Sequence, residues 1–104
     1  MPEHLTQLKE ELEAGKAQLI DIREEIEWNA GHLSDAVLLP LSEIQSGEIP
    51  DEISKEKKTY IHCRSGNRVQ MAQPMMEGEG FDEVIALSEG FEELALEGFE
   101  VAED

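Results

Sequence analysis

The sequence has one cysteine, three arginines, five aromatic phenylalanine, tryptophan and tyrosine side chains, and no apolar run longer than a few residues. Each shortage excludes something. A lone cysteine forbids an intrachain disulfide and any multi-cysteine metal site. Three histidines and one cysteine assemble no metal set, so no metal is expected. A membrane helix needs about 20 apolar residues in a row, and nothing approaches that. Eight Lys and Arg stand against 25 Asp and Glu, for a net charge of -17 and a pI near 4.3. So acidic a chain lacks the bases that neutralise phosphate, which argues against nucleic acid and anionic lipid as partners. The start, Met1-Pro2-Glu3-His4, lacks the basic and apolar regions of a signal peptide. A cytoplasmic location with a free thiol is the expectation.

What is present is enough for one core. Hydrophobic residues make up 39% of 104 positions, so the chain reads as a single folded domain over 1–104. The high charge favours a monomer. Acids crowd the end: positions 69–104 hold eleven and no Lys or Arg. Such a face is solvated, adapted to salt, or turned to a basic partner.

Helices and strands alternate. Leu5, Leu8 and Leu12 recur at helical spacing over 4–15, and Gly15 can close that helix. The run 18–22 suits a buried strand. A brief helix follows over 24–29, then a strand over 36–39 stopped by Pro40. Residues 41–53 are small turns or short helices. Lys58 to His62 form a β-branched and aromatic strand. A helix is predicted over 67–77, a short strand within 81–87 and a last helix over 91–96. Strands separated by helices predict an α/β fold, a small central parallel sheet with helices on both faces. Ligands bind such sheets at the carboxyl ends of strands, where a loop leads into a helix.

The segment from His62 to Arg68 occupies that place and reads Cys63-Arg64-Ser65-Gly66-Asn67-Arg68 after the cysteine's strand. A helix N-terminus offers unpaired N–H groups and a partial positive charge. Gly66 allows a sharp turn and close approach to a ligand. Successive N–H groups there make an anion cradle. A thiol in that cradle, beside Arg64 and Arg68, has its pKa depressed and stands ready as a nucleophile. A lone cysteine is ordinarily a small buried hydrophobe. Its position between strand and helix, with glycine and two arginines on so acidic a chain, favours the reactive reading.

This loop resembles the active-site loop of single-domain rhodaneses, which are sulfurtransferases. Leu19-Ile20-Asp21-Ile22-Arg23, Glu27-Trp28, Gly31-His32-Leu33 and Ala36 through Pro40 follow that family's upstream signature in order. Arg68, Ala72, Met76, Gly80 and Phe81 fall where its post-loop helix and Gly-aromatic ending lie. The resemblance implies a rhodanese-like fold and a thiosulfate:cyanide type of activity. Cys63 would take sulfane sulfur from thiosulfate or a similar small anionic donor as a persulfide, then pass it to cyanide or a thiol, a protein thiol among them. Backbone amides from Arg64 through Ser65, Gly66 and Asn67 to Arg68 would hold the sulfur, with a Ser65 hydroxyl bond added. The Arg64 and Arg68 guanidiniums would attract the donor and balance the departing sulfite. No cofactor is implied, since the persulfide is the carrier.

Some positions depart from the family. Glu89-Gly90 stands where Gly-Gly is common, and Leu94 lies near a usual tryptophan. Pro74 inside the post-loop helix predicts a kink or an early end, at a typical cost of about 3 kcal/mol. The short N-terminus predicts a missing or minimal first edge strand. Tyrosine phosphatases share a cysteine loop but place arginine six positions on, where Val69 stands here; arsenate reductases and rhodanese-fold phosphatases also use the longer loop. A regulatory module would usually lack the cysteine, whereas a sulfur-relay carrier would share all of the chemistry. His62 should face away from Cys63, because strand neighbours alternate. His32 reads as a structural hydrogen-bonding residue, Asp21 and Arg23 as a local ion pair, and Glu27 and Trp28 as packing and bracing. Met71, Met75 and Met76 read as helix core positions.

Overall fold

The computed structural model describes residues 1–102; Glu103 and Asp104, the last of the C-terminal acids, lie outside the described residues. The elements are α1 (Glu3–Glu13), β1 (Ala17–Asp21), α2 (Glu25–Asn29), β2 (His32–Leu33), β3 (Ala36–Leu38), α3 (Leu41–Gln45), β4 (Lys58–His62), α4 (Arg68–Gly78), β5 (Val84–Ala86), α5 (Phe91–Leu96) and β6 (Val101–Ala102). A four-stranded parallel sheet runs β3-β1-β4-β5. No strand precedes α1 among the described residues.

Period-two alternation in the strands divides the core into two layers. Leu19 and Tyr60 point toward Leu5 and Leu8 of α1 and Leu94 of α5. Ile20 and Ile61 point the other way, toward Leu41 and Ile44 of α3 and Val69, Ala72 and Met76 of α4. Helices therefore cover both faces, as the sequence predicts. Each fully buried Leu or Ile contributes on the order of 1.5–3 kcal/mol relative to exposure.

Gly15 closes α1 at a φ of 71°, donating to the Leu12 carbonyl while Lys16 donates to Glu11. That double bond pattern satisfies two carbonyls the helix leaves open. Two elements lack a sequence signal. Strands β2 and β6 are two residues each and pair antiparallel, His32 with Ala102 and Leu33 with Val101. At that length no alternation can be read, and only the pairing defines them.

The expected early end at Pro74 is not seen. Helix α4 continues to Gly78, because Val69, Ala72 and Met76 anchor it on both sides of the proline, whose own position is exposed. The reading of three core methionines also needs correcting. Met76 is buried and Met75 packs against the core, but Met71 is 51% exposed. It falls outside the 69, 72, 76 stripe that the sheet covers.

Candidate active site

Cys63 follows β4 directly, at the carboxyl edge of the parallel sheet, where β1 and β4 end side by side with Asp21 opposite His62. The Ile22 N–H bonds the His62 carbonyl at 3.0 Å, and the Phe91 N–H bonds the Cys63 carbonyl at 2.9 Å. The cysteine is thus held from β1 on one side and from the start of α5 on the other. Its side chain belongs to the α4 layer of the core and is 1% exposed.

The loop then bends over the sulfur. Gly66 adopts a φ of 85°, a conformation that disfavours any side chain, and a Cβ there would lie 2.5 Å from the Ser88 carbonyl oxygen. Its N–H donates to Cys63 Sγ at 3.2 Å. Burial raises the thiol pKa, but backbone N–H groups of Ser65, Val69, Gly66 and Arg68 outweigh it and draw the pKa below the ordinary value. A thiol caged by N–H donors at a helix start is biased toward the thiolate without a neighbouring base. Val69 is a member that the motif reading missed, because its apolar side chain hides the role of its N–H.

Side chains of the loop divide differently from expectation. Ser65 reaches Cys63 Sγ through its backbone N–H, and its hydroxyl oxygen accepts a bond from Asn67 Nδ2 at 3.4 Å. Asn67 itself is the N-cap residue of α4 and is exposed. The Arg68 guanidinium grips Glu27 of α2 as a fork, Nη1 to Oε1 at 2.6 Å and Nη2 to Oε2 at 2.8 Å. That fork pushes the Glu27 pKa down to about 2, against the opposing effect of burial. Arg68 is therefore a strut between α4 and α2, and its charge is already neutralised locally. Arg64 is exposed and makes no ion pair among the described residues. Among the described residues it is a loop cation left without a carboxylate partner, and it lines the cavity beside the loop.

Beneath the loop lies a second brace. Arg23 holds Asp21 through Nε to Oδ1 at 3.0 Å and Nη2 to Oδ2 at 2.8 Å, and donates to the Gly31 carbonyl at 2.8 Å. Its guanidinium stacks over Phe91 with 4.3 Å to the ring centroid. The ion pair predicted for Asp21 and Arg23 thus fastens β1, the α2–β2 turn and α5 to each other. Trp28 and His32 stack with centroids 3.6 Å apart, and His32 Nδ1 lies 3.0 Å from the Trp28 carbonyl oxygen. His62 points to the α1 and α5 side, away from Cys63, with Nε2 3.8 Å from Asp21 Oδ2. Burial lowers its pKa and keeps it neutral, so packing is its role, as alternation predicts.

A cavity of about 220 Å³ opens beside the loop, lined by Arg23, Glu27, Gly31, Arg64, Phe91 and Glu92 among others. Phe91 and Glu92 carry no motif signal, since only the fold brings the start of α5 to the cysteine. Gly90, just before them, has no room for a side chain: a Cβ would fall 1.8 Å from the Arg64 carbonyl oxygen. Glu89 is tolerated in the adjoining place because its half-buried carboxylate is paired with His4 Nε2 at 2.7 Å. Among the described residues there is no cluster of metal ligands.

Comparison with known proteins agrees with this geometry. The chain is 36% identical over 88 residues to the uncharacterized protein YqhL of Bacillus subtilis, covering 83% of this chain and 68% of that protein. It is 32% identical over 85 residues to a probable adenylyltransferase/sulfurtransferase, MoeZ, of Mycobacterium tuberculosis, covering 81% of this chain but 22% of that longer protein. A rhodanese-like domain protein from Staphylococcus aureus superposes with a TM-score of 0.71 at 26% identity, over 91% of each chain. The human single-domain sulfurtransferase TSTD1 shares the fold with a TM-score of 0.76 at 24% identity, over 90% of this chain and 93% of that one. The profile of the rhodanese-like domain matches residues 4–97, from the first turn of α1 to just past α5. That span takes in the cysteine loop and both braces beneath it, and this chain belongs to the rhodanese-like domain family.

Proposed function

We propose that the chain is a sulfurtransferase that carries sulfane sulfur on Cys63 as a persulfide, taking it from thiosulfate or a similar small anionic donor. The observation that carries this reading is the cage of N–H groups from Ser65, Gly66, Arg68 and Val69 around a thiol whose pKa lies below its ordinary value. The Cys63 thiolate attacks the outer sulfur of thiosulfate. A new S–S bond forms, the old S–S bond breaks with its electron pair leaving on sulfite, and the cysteine holds a persulfide anion. Cyanide or a thiolate then attacks the outer sulfur, and the Cys63 thiolate departs unchanged.

Charge fits each step. The total charge is the same before and after sulfite leaves, so the site has to relocate negative charge and supply no proton. The N–H cage around Cys63 Sγ supports this, since the outer sulfur that takes the charge is bonded to that atom. Arg64 offers the donor an unpaired cation next to the cavity. Two of the relatives are named for sulfur chemistry, the mycobacterial sulfurtransferase and a putative sulfur carrier protein of Bacillus subtilis, YrkF. Both support the class of reaction.

The test is intact mass after reduced protein meets thiosulfate, with Cys63→Ser alongside. The expected result is a gain of one sulfur in the native protein alone, removed by cyanide as thiocyanate. No adduct, while Cys63 still alkylates readily, would overturn thiosulfate as donor. Turnover of an aryl phosphate by the same protein would overturn sulfur transfer as the chemistry.

A further inference from the structure

Helix α5 starts at the Cys63 carbonyl and leads away from the site along the surface. Its Leu94 is fully buried, but Leu96 is 88% exposed, and Val101 of β6 is 44% exposed. With Phe91 and Ala95 they line an open depression of about 410 Å³, walled by Glu92. Phe91 and Ala95, four apart, share a face of α5, and Leu96 borders it where the depression turns toward Val101. Leucine at 88% exposure adds nothing to the core, and a contiguous apolar patch on so charged a chain marks a contact surface.

Two observations say what covers it. The first is continuity: Phe91 and Glu92 line both this depression and the cavity beside the Cys63 loop. Whatever seats on α5 borders the cavity that Arg64 of the Cys63 loop lines. The second is charge. Glu92, Glu93, Glu97 and Glu100 flank the apolar residues along the chain, and none is in an ion pair among the described residues. No Lys or Arg follows Arg68 in the sequence. An apolar centre with an acidic rim selects a partner with an apolar anchor and a basic rim.

We infer that the α5–β6 surface docks a basic protein whose cysteine thiol enters the adjoining cavity and removes sulfur from Cys63. This rests on the sulfur-transfer reading above and names its acceptor class. The site then separates its two substrates by charge. Arg64 draws the small anionic donor, and the acidic rim draws the cationic acceptor. A second copy of this chain is a poor occupant, since two faces carrying the same unpaired glutamates repel.

The experiment begins with Cys63 already persulfidated and confirmed by intact mass, so failure to form the persulfide is a failure of the proposed function and not of this inference. Three short peptides serve as probes, each with one cysteine. The first has Lys and Arg beside the cysteine together with Leu and Phe, the second has Glu in place of the bases, and the third has Ser in place of Leu and Phe. Each rate of sulfur removal is divided by that peptide's rate with a small aryl disulfide, which cancels differences in thiol reactivity. The first peptide is expected to be faster than either other by about tenfold at low salt, with the advantage shrinking as salt is added. In Leu96→Ser/Val101→Ser its advantage over the third peptide should vanish, while removal by cyanide is unchanged. Equal normalised rates for the three peptides would overturn the inference. So would an advantage over the third peptide that survives the double substitution, or a native dimer that the substitution disperses.

Discussion

Gly90→Ala isolates how finely the cysteine loop is held. Gly90 has a φ of -89° and a ψ of -177°, extended backbone that alanine adopts freely. The substitution therefore carries no backbone penalty, and its effect is steric. The new Cβ would lie 1.8 Å from the Arg64 carbonyl oxygen, 2.5 Å from its carbon and 3.0 Å from the Ser65 nitrogen. Contacts below 3.0 Å are essentially never seen, so the Arg64 carbonyl oxygen must withdraw by more than 1 Å, and the planar peptide carries the Ser65 nitrogen with it. Both neighbours are backbone and cannot swing aside as a side-chain tip would. Ser65 N–H is one of the donors that lower the Cys63 pKa, and Gly66 N–H sits 3.2 Å from the sulfur. A shift above 1 Å breaks that cage, and misplacement of about 1 Å costs on the order of 100-fold in rate.

Three readings should move together in Gly90→Ala. Persulfide formation from thiosulfate falls about 100-fold. The pH midpoint of Cys63 alkylation by iodoacetamide rises toward an ordinary thiol, because burial persists while the N–H donors are lost. Stability to urea drops by ~1–3 kcal/mol, the usual cost of overpacking. Gly78→Ala is the control, since a Cβ there meets nothing within 4 Å and its φ is not positive. Native rate and native alkylation midpoint in Gly90→Ala would refute the assignment of the N–H cage as the source of thiol activation.

Other outcomes follow from the same geometry. The folded-state Cys63 pKa is depressed, so the native protein gains stability relative to Cys63→Ser as pH rises through that pKa, fully by the unfolded value near 9.0; thermal melts across that window check the sign. Glu27→Gln removes the carboxylate that Arg68 grips and should cost ~1–2 kcal/mol at neutral pH, the side chains being 25% and 30% exposed. Glu27 has its folded pKa lowered to about 2 from 4.5, so this difference is complete above 4.5 and fades as pH falls toward 2. Urea titrations at several pH values measure it. Arg64→Gln should slow persulfide formation from thiosulfate about tenfold and leave alkylation by neutral iodoacetamide unchanged. Native activity with thiosulfate should rise from low to moderate salt, because screening weakens the repulsion from a net charge of -17. Stopped assays in salts of weakly competing anions test both.

Much of this protein is local and could be read along the chain. The Leu5, Leu8 and Leu12 spacing, the β-branched run before His62 and the Gly15 closure each depend on residues within a few positions, where helix and strand periods act. The reactive loop is legible for the same reason: strand, cysteine, glycine and helix start are consecutive, and the anion cradle is made by backbone that any such turn exposes. His62 turning from Cys63 follows from alternation alone. What long-range packing decided is of another kind. Nothing near Arg68 says that its guanidinium will be consumed by Glu27, 41 positions away. Its backbone N–H serves the sulfur and its side chain serves the scaffold, and that leaves Arg64 as the free cation. The two-residue strands β2 and β6 exist only because the fold brings together two segments far apart in the sequence, His32–Leu33 and Val101–Ala102. Pro74 stays within α4 because the buried stripe on both sides outweighs one lost hydrogen bond. Gly90 and Phe91 matter because α5 packs against the cysteine's own carbonyl. Sequence by itself determined the fold class and singled out Cys63 as the proposed nucleophile, since short-range periodicity and consecutive backbone donors are enough for both. Tertiary structure decided which charges remain free and which surface adjoins the sulfur, since those depend on contacts between residues far apart in the chain.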